Sequence, residues 1–179
     1  MATITFITGG ARSGKSSFAQ RLAEERSENP VYLATARIWD DDFANRVKRH
    51  QADRDERWQT VEEEKELSKH DFTGKTVMLD CITLWLTNFF HDHNYQSDVT
   101  LDAAQSEWRK FAAQDMDLIV VSNELGMGIH PENETARKFA DLQGWMNQFI
   151  AKQADTVYLM VSGIPVKIKT KFGDMSSES

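Results

Sequence analysis

Two short stretches hold residues whose types and spacing could do chemistry. The first, Gly9-Gly10-Ala11-Arg12-Ser13-Gly14-Lys15-Ser16, fits G-x-x-x-x-G-K-[ST] at every fixed position. Gly9 and Gly14 let such a loop turn tightly and aim its backbone N–H groups inward, where they hold phosphate oxygens. Lys15 is expected to reach the β/γ-phosphates of a nucleoside triphosphate, and the Ser16 hydroxyl to ligate Mg²⁺. The second stretch is RVKRHQADRDERW, residues 46–58. Read as a helix, it puts Arg46, His50, Arg54 and Arg57 on one face. An imidazole fenced by guanidinium groups is mildly unfavourable unless an anion sits there. Arginine charges disfavour a charged imidazole beside them. The same charges can take phosphate oxygens. The plainer alternative is a solvated helix in which Asp42, Asp53, Asp55 and Glu56 pair the arginines, and spacing alone leaves the two open.

Magnesium at a phosphate loop needs a carboxylate, held directly or through water. Asp80 ends the apolar run VMLD, where such a residue belongs, and Glu124, after LIVVSN, is the competitor. Ligands of open α/β sheets lie at the carboxyl ends of the strands. That brings Ala34, Thr35 and Ala36 toward the nucleotide, with side chains small enough to leave it room. His91 and His93 have metal-like spacing but lack the further ligands a closed site takes, so no metal is assigned to them. His70 and His130 read as solvated loop residues.

The elements that must position these groups follow from apolar patterning. ITFIT (4–8), VYLAT (31–35), TVMLD (76–80), LIVVS (118–122) and TVYLMVS (156–162) are short, apolar and barely alternate, as strands covered on both faces do. Helices are expected at about 15–27, 41–57, 82–92, 100–114 and 133–153. Strand–helix alternation implies an α/β fold with a mostly parallel sheet and helices on both faces. A single domain is expected over 1–169, followed by a disordered tail at 170–179.

The 179 residues carry a formal net charge of -7, which argues against nucleic acid as the main partner. One cysteine, Cys81, excludes an intramolecular disulfide and points to a reducing compartment. No apolar run approaches a membrane span, and the start MATITFITGG is not a signal peptide, so a cytoplasmic protein is expected. The loop alone does not separate a small-molecule kinase from a RecA-like ATPase.

Several stretches together resemble one family. They are GGARSGKS (9–16), VYLATA (31–36), RVKRHQADRDERWQTVE (46–62), LDCITLWLTN (79–88), VSNELGMGIHPEN (121–133) and VSGIPVKIK (161–169). The set is similar to the bifunctional adenosylcobinamide kinase/adenosylcobinamide-phosphate guanylyltransferases of cobalamin assembly. The resemblance runs from about residue 4 to 169. It implies a RecA-like P-loop core, a homotrimer, and two reactions. ATP or GTP phosphorylates the aminopropanol hydroxyl of adenosylcobinamide, and GTP then donates GMP to that phosphate through a guanylylated histidine. The matching histidine is His50. The resemblance also places Gln51, Ala52, Asp53, Arg54, Glu62, residues 34–36 and Asp80 in the GTP-contacting region. Glu62 could accept the guanine N1–H and N2–H, which adenine lacks.

Overall fold

The computed structural model describes residues 1–37 and 54–170. Strand β1 (Thr3–Gly9) runs into the glycine-rich loop and helix α1 (Lys15–Arg26), and β2 (Val31–Ala34) follows. After residues 38–53 come β3 (Gln59–Glu62), a single 3-10 turn (Leu67–Lys69) and β4 (Thr76–Asp80). Helices α2 (Ile82–Asp92) and α3 (Ser97–Ala112) lead to β5 (Asp117–Asn123), then α4 (Glu134–Gln153), β6 (Thr156–Val161) and β7 (Ile164–Lys169). The seven strands form one sheet in the order β3-β2-β4-β5-β1-β6-β7. All neighbours are parallel except β6 and β7, which form an antiparallel hairpin.

The apolar runs barely alternate because both faces of the central strands are buried. Ile4 and Phe6 of β1, Val77 and Leu79 of β4, and Leu118 and Val120 of β5 pack on one side with Trp85, Trp108, Phe111, Leu142 and Met146. Ile7, Met78, Ile119 and Val121 turn to the other side, where Ala19 and Ala23 of α1 and Trp58 cover them. Three helices thus pack on one face and α1 on the other, among the described residues. The five expected strands and four of the expected helices are present, within a few residues of the ends read from sequence.

Three differences have physical reasons. β3 reads QTVE and is largely exposed, because a sheet-edge strand shields little and so carries no apolar run. β7 (IPVKIK) is the opposite edge, where Pro165 is tolerated. Of the helix expected over 41–57, only residues 54–57 are described, and they are not helical. Residues 54–57 form a bend and a turn, closed by Trp58 N donating to Asp55 O at 3.3 Å. Asp55 also accepts from the Arg57 backbone N–H and from its guanidinium at 2.7 Å, a local ion pair that favours the turn. Arg57 is therefore engaged by Asp55 rather than aligned with Arg54 on a helix face. Residues 38–53, with His50, Gln51, Ala52 and Asp53, lie outside the described residues, as do 171–179 of the expected tail.

Candidate active site

The strand-to-helix turn after β1 is built by backbone conformations that its glycines permit. Gly9 has φ +151°, and a Cβ there would lie 2.7 Å from the Met160 carbonyl oxygen. Gly14 has φ +90° at the start of α1, and a Cβ there would lie 3.2 Å from Gly163 Cα. The second approach arises because the β6–β7 hairpin rests on the loop, with Gly163 N donating to Ser13 O at 3.0 Å. No side chain caps α1 and no acidic residue occupies its first turn, so the positive end of the helix faces the loop. Lys15 is buried and its Nζ donates to Gly10 O at 2.5 Å across that loop. Burial pulls its pKa below the ordinary lysine value, and the carboxylate of Asp80 partly opposes this.

Arg12, Lys15, Ser16, Asp80, Leu84 and Asn123 are among the residues around one cleft of about 530 Å³. The loop motif and Asp80 thus converge from separate strands, at the carboxyl end of the sheet. Glu124 does not border this cleft; its carboxylate accepts from Gly126 N at 2.6 Å and closes its own turn. Asp80 accepts the Tyr32 hydroxyl at 3.2 Å. Burial, and secondarily the Asp80 charge, push the Tyr32 pKa upward, so the phenol keeps the proton it donates. Cys81 is buried and its thiol is pushed up to about 12, chiefly by burial, which leaves it unreactive.

Arg54 is the first described residue after the histidine segment, and its guanidinium carbon lies 3.4 Å above the centre of the Tyr32 ring. Its buried Nη2 has no hydrogen-bond partner among the described residues. Trp58 stands edge-on to Tyr32 and donates to Glu24 of α1 at 3.1 Å. The chain therefore returns from the histidine segment beside the residue that bonds Asp80.

The remaining predicted positions divide. Thr35 is buried and tied to Cys81, donating to its carbonyl at 2.8 Å and accepting from its N–H at 3.0 Å. Ala34 is buried in the α1-side core, and neither it, Thr35 nor Ala36 borders the loop cleft. Glu62, at the end of β3, borders a second cleft of about 770 Å³ with Glu63, Lys65, Phe89 and Glu107. The two clefts share no lining residue. Among the other histidines, His70 is not simply solvated, since its Nε2 lies 3.2 Å from Glu63. His93 lies 3.3 Å from Thr100 Oγ1, and no cluster of potential metal ligands occurs among the described residues. No helix among them is long and apolar enough to cross a membrane.

Residues 5–168 match the sequence model of the family described as cobinamide kinase / cobinamide phosphate guanyltransferase. The chain belongs to that family. The bifunctional adenosylcobalamin biosynthesis protein CobU of Escherichia coli strain K12 is 39% identical over 178 residues, covering 91% of this chain and 98% of that protein. The corresponding CobP of Pseudomonas aeruginosa is 36% identical over 168 residues, covering 91% and 95%. Among solved structures, the flagellar accessory protein FlaH from Methanocaldococcus jannaschii aligns at 13% identity with a TM-score of 0.47, covering 94% of this chain and 79% of that one. At that distance it adds nothing to the strand order of the chain itself. Within this cobinamide kinase / guanyltransferase chain, sequence reasoning missed Tyr32 and Asn123. Tyr32 sits inside a buried strand and carries no motif. Asn123 follows an apolar run in a stretch that contributed to the family likeness without a role.

Proposed function

We propose that the chain, acting as one domain over residues 1–169, catalyses two successive reactions on a corrinoid. ATP or GTP first phosphorylates the aminopropanol hydroxyl of adenosylcobinamide, and GTP then donates GMP to that phosphate, giving adenosylcobinamide-GDP and pyrophosphate. The observation that carries this reading is the convergence of two sequence regions. The phosphate loop and Asp80 border one cleft, and Arg54 brings the end of the histidine segment onto Tyr32, which hydrogen-bonds Asp80.

In the kinase step, the α1 N-terminus and Lys15 hold the β- and γ-phosphates. The substrate hydroxyl oxygen bonds to the γ-phosphorus, and the diphosphate leaves with the electron pair of the broken P–O bond. Ser16 and Asp80 suit Mg²⁺, since both border the cleft and offer hard oxygen ligands. When bound, that ion would neutralise charge on the phosphate oxygens. In the second step, His50 attacks the α-phosphorus of GTP and pyrophosphate leaves. A phosphate oxygen of the phosphorylated corrinoid then attacks the same phosphorus and releases the imidazole. Gln51, Ala52, Asp53, Arg54 and Glu62 serve the nucleotide. Arg54, whose Nη2 has no hydrogen-bond partner among the described residues, meets an anion of the nucleotide.

The deciding experiment supplies adenosylcobinamide with γ-labelled ATP, then GTP, and follows the corrinoid by mass spectrometry. The expected products are the labelled phosphate ester and then the GDP adduct. Unmodified corrinoid after both incubations would overturn the reading.

The enzyme works in the cytoplasm as a homotrimer. The family likeness supports the trimer, and so does β7, an outer strand on which Ile164, Val166 and Ile168 alternate and are exposed. Light scattering at micromolar protein should give three times the 20.5 kDa chain mass. A mass near 20.5 kDa across the concentration range would exclude the trimer.

A further inference from the structure

Asn123 ends β5, the strand beside the one that enters the phosphate loop. In the parallel register it pairs with Gly9, while Asp80 pairs with Val121 on the other side. Asn123 therefore stands two residues beyond the level of Asp80, roughly 7 Å farther along the strand. Side chains two apart on a strand share a face. Val121 packs in the α1-side core, so Asn123 projects from the face that carries the loop and α1, and it borders the cleft with Lys15, Ser16 and Asp80.

Its backbone is held unusually firmly for a strand end. Asn123 N donates to Thr83 Oγ1 of α2 at 3.1 Å, and its carbonyl accepts from Asn147 Nδ2 of α4 at 3.0 Å. Asn147 is fixed in turn by a buried network, accepting from Ser122 Oγ at 2.7 Å and from Gln143 Nε2 at 2.9 Å. Ser122 and Gln143 are fully buried. Four polar side chains from three elements thus hold one residue whose own carboxamide makes no hydrogen bond among the described residues. A polar group fixed this way, aimed into a phosphate cleft and left with its hydrogen-bonding capacity unspent, has the form of a preorganised ligand for a charged group.

We propose that Asn123 is a further catalytic residue of the kinase step, its carboxamide N–H₂ donating to the transferring γ-phosphoryl oxygens. This rests on the kinase half of the proposed function. The substrate hydroxyl oxygen bonds to the γ-phosphorus, the bond from that phosphorus to the bridging oxygen breaks, and the diphosphate takes the electron pair. The hydroxyl proton passes to the phosphoryl oxygens and on to water. Asn123 neither gains nor loses a proton; it holds the phosphoryl group in line across the cleft from Lys15. A neutral donor suits the task, because a carboxylate there would repel the phosphates.

The test compares wild type, Asn123→Ala and Asn123→Asp. Asn123→Ala should lower kinase kcat on the order of 100-fold, with ATP affinity changed by less than about threefold. Asn123→Asp keeps the volume and the backbone contacts, and should be slower still at pH 8. Its activity relative to wild type should recover as the pH falls toward the ordinary carboxylic acid range, where the protonated group can donate again. A purely structural role would predict the milder defect for the isosteric Asp variant, with no recovery at low pH. Single-turnover hydrolysis of γ-labelled ATP without corrinoid gives a second reading that does not depend on the acceptor, and Asn123→Ala should slow it at least about tenfold. Wild-type rates in both assays for Asn123→Ala would overturn the assignment. Loss of nucleotide affinity in step with rate would overturn it too. A wild-type protein that hydrolyses ATP but does not phosphorylate adenosylcobinamide would sink the substrate reading, and the hydrolysis comparison would still decide Asn123.

Discussion

Lys15→Ala should lose kinase turnover by about 100-fold or more, corresponding to roughly 3 kcal/mol of transition-state stabilisation. The loss follows from where the ammonium sits. Lys15 is buried at the base of the loop, beside the N-terminus of α1, with its Nζ 2.5 Å from Gly10 O and 3.5 Å from Ser13 Oγ. A point charge in such a partly water-excluded site acts on phosphate oxygens far more strongly than it would in water. The fold should tolerate the change. Burial already penalises the charged form of Lys15, and its pKa is depressed for that reason, so removing the charge also removes a desolvation cost. The expected signature is a melting temperature within a few degrees of wild type, weakened ATP binding and a much larger drop in kcat. Lys15→Met, which keeps the aliphatic stem, should match Lys15→Ala in rate while packing better. Near wild-type turnover in either folded variant would remove the assignment of the loop to phosphoryl chemistry.

The phosphate loop was legible because its chemistry needs glycine at two defined backbone positions and a lysine at a fixed offset. A short linear pattern therefore encodes a three-dimensional cradle. The place of Asp80 beside the cleft was legible because ligands of open α/β sheets lie at the carboxyl ends of the strands. The sheet's centre was legible from apolar runs, while its edges were not. β3 and β7 bury too little to be apolar, and pairing with a neighbour is what makes them strands. Thr35 illustrates a different limit. Its small side chain suggested room for a ligand, and its hydroxyl instead ties the end of β2 to Cys81. Helical spacing misled at residues 54–57, where the Asp55–Arg57 pair and Trp58 favour a turn. Asn123 was invisible for a deeper reason. An asparagine after an apolar run looks like a strand-ending residue, and what sets it apart is the support from Thr83 and from buried Ser122, Gln143 and Asn147, most of it distant in sequence.

His50→Ala should abolish GMP transfer while leaving phosphorylation of adenosylcobinamide largely intact. The two reactions attack different phosphorus atoms, and only the second is proposed to pass through a covalent nucleophile. GTP labelled at the α-phosphate should leave label on the wild-type protein, and γ-labelled GTP should not, because pyrophosphate carries the γ-phosphate away. A phosphoramidate on imidazole is labile to acid and comparatively stable to base, so mild acid should release the label. His50→Ala and His50→Asn should both remain unlabelled; the asparagine keeps a polar group of similar reach without a comparable nucleophile. Arg54 offers an internal comparison. Its guanidinium rests on Tyr32, with Nη2 buried and unpartnered among the described residues. Arg54→Ala should therefore slow labelling without abolishing it, because it removes charge stabilisation and leaves the nucleophile in place. Undiminished GMP transfer by His50→Ala would reduce the histidine segment to a binding surface. The guanylyl group would then have to move by another nucleophile, or directly from GTP to the corrinoid phosphate.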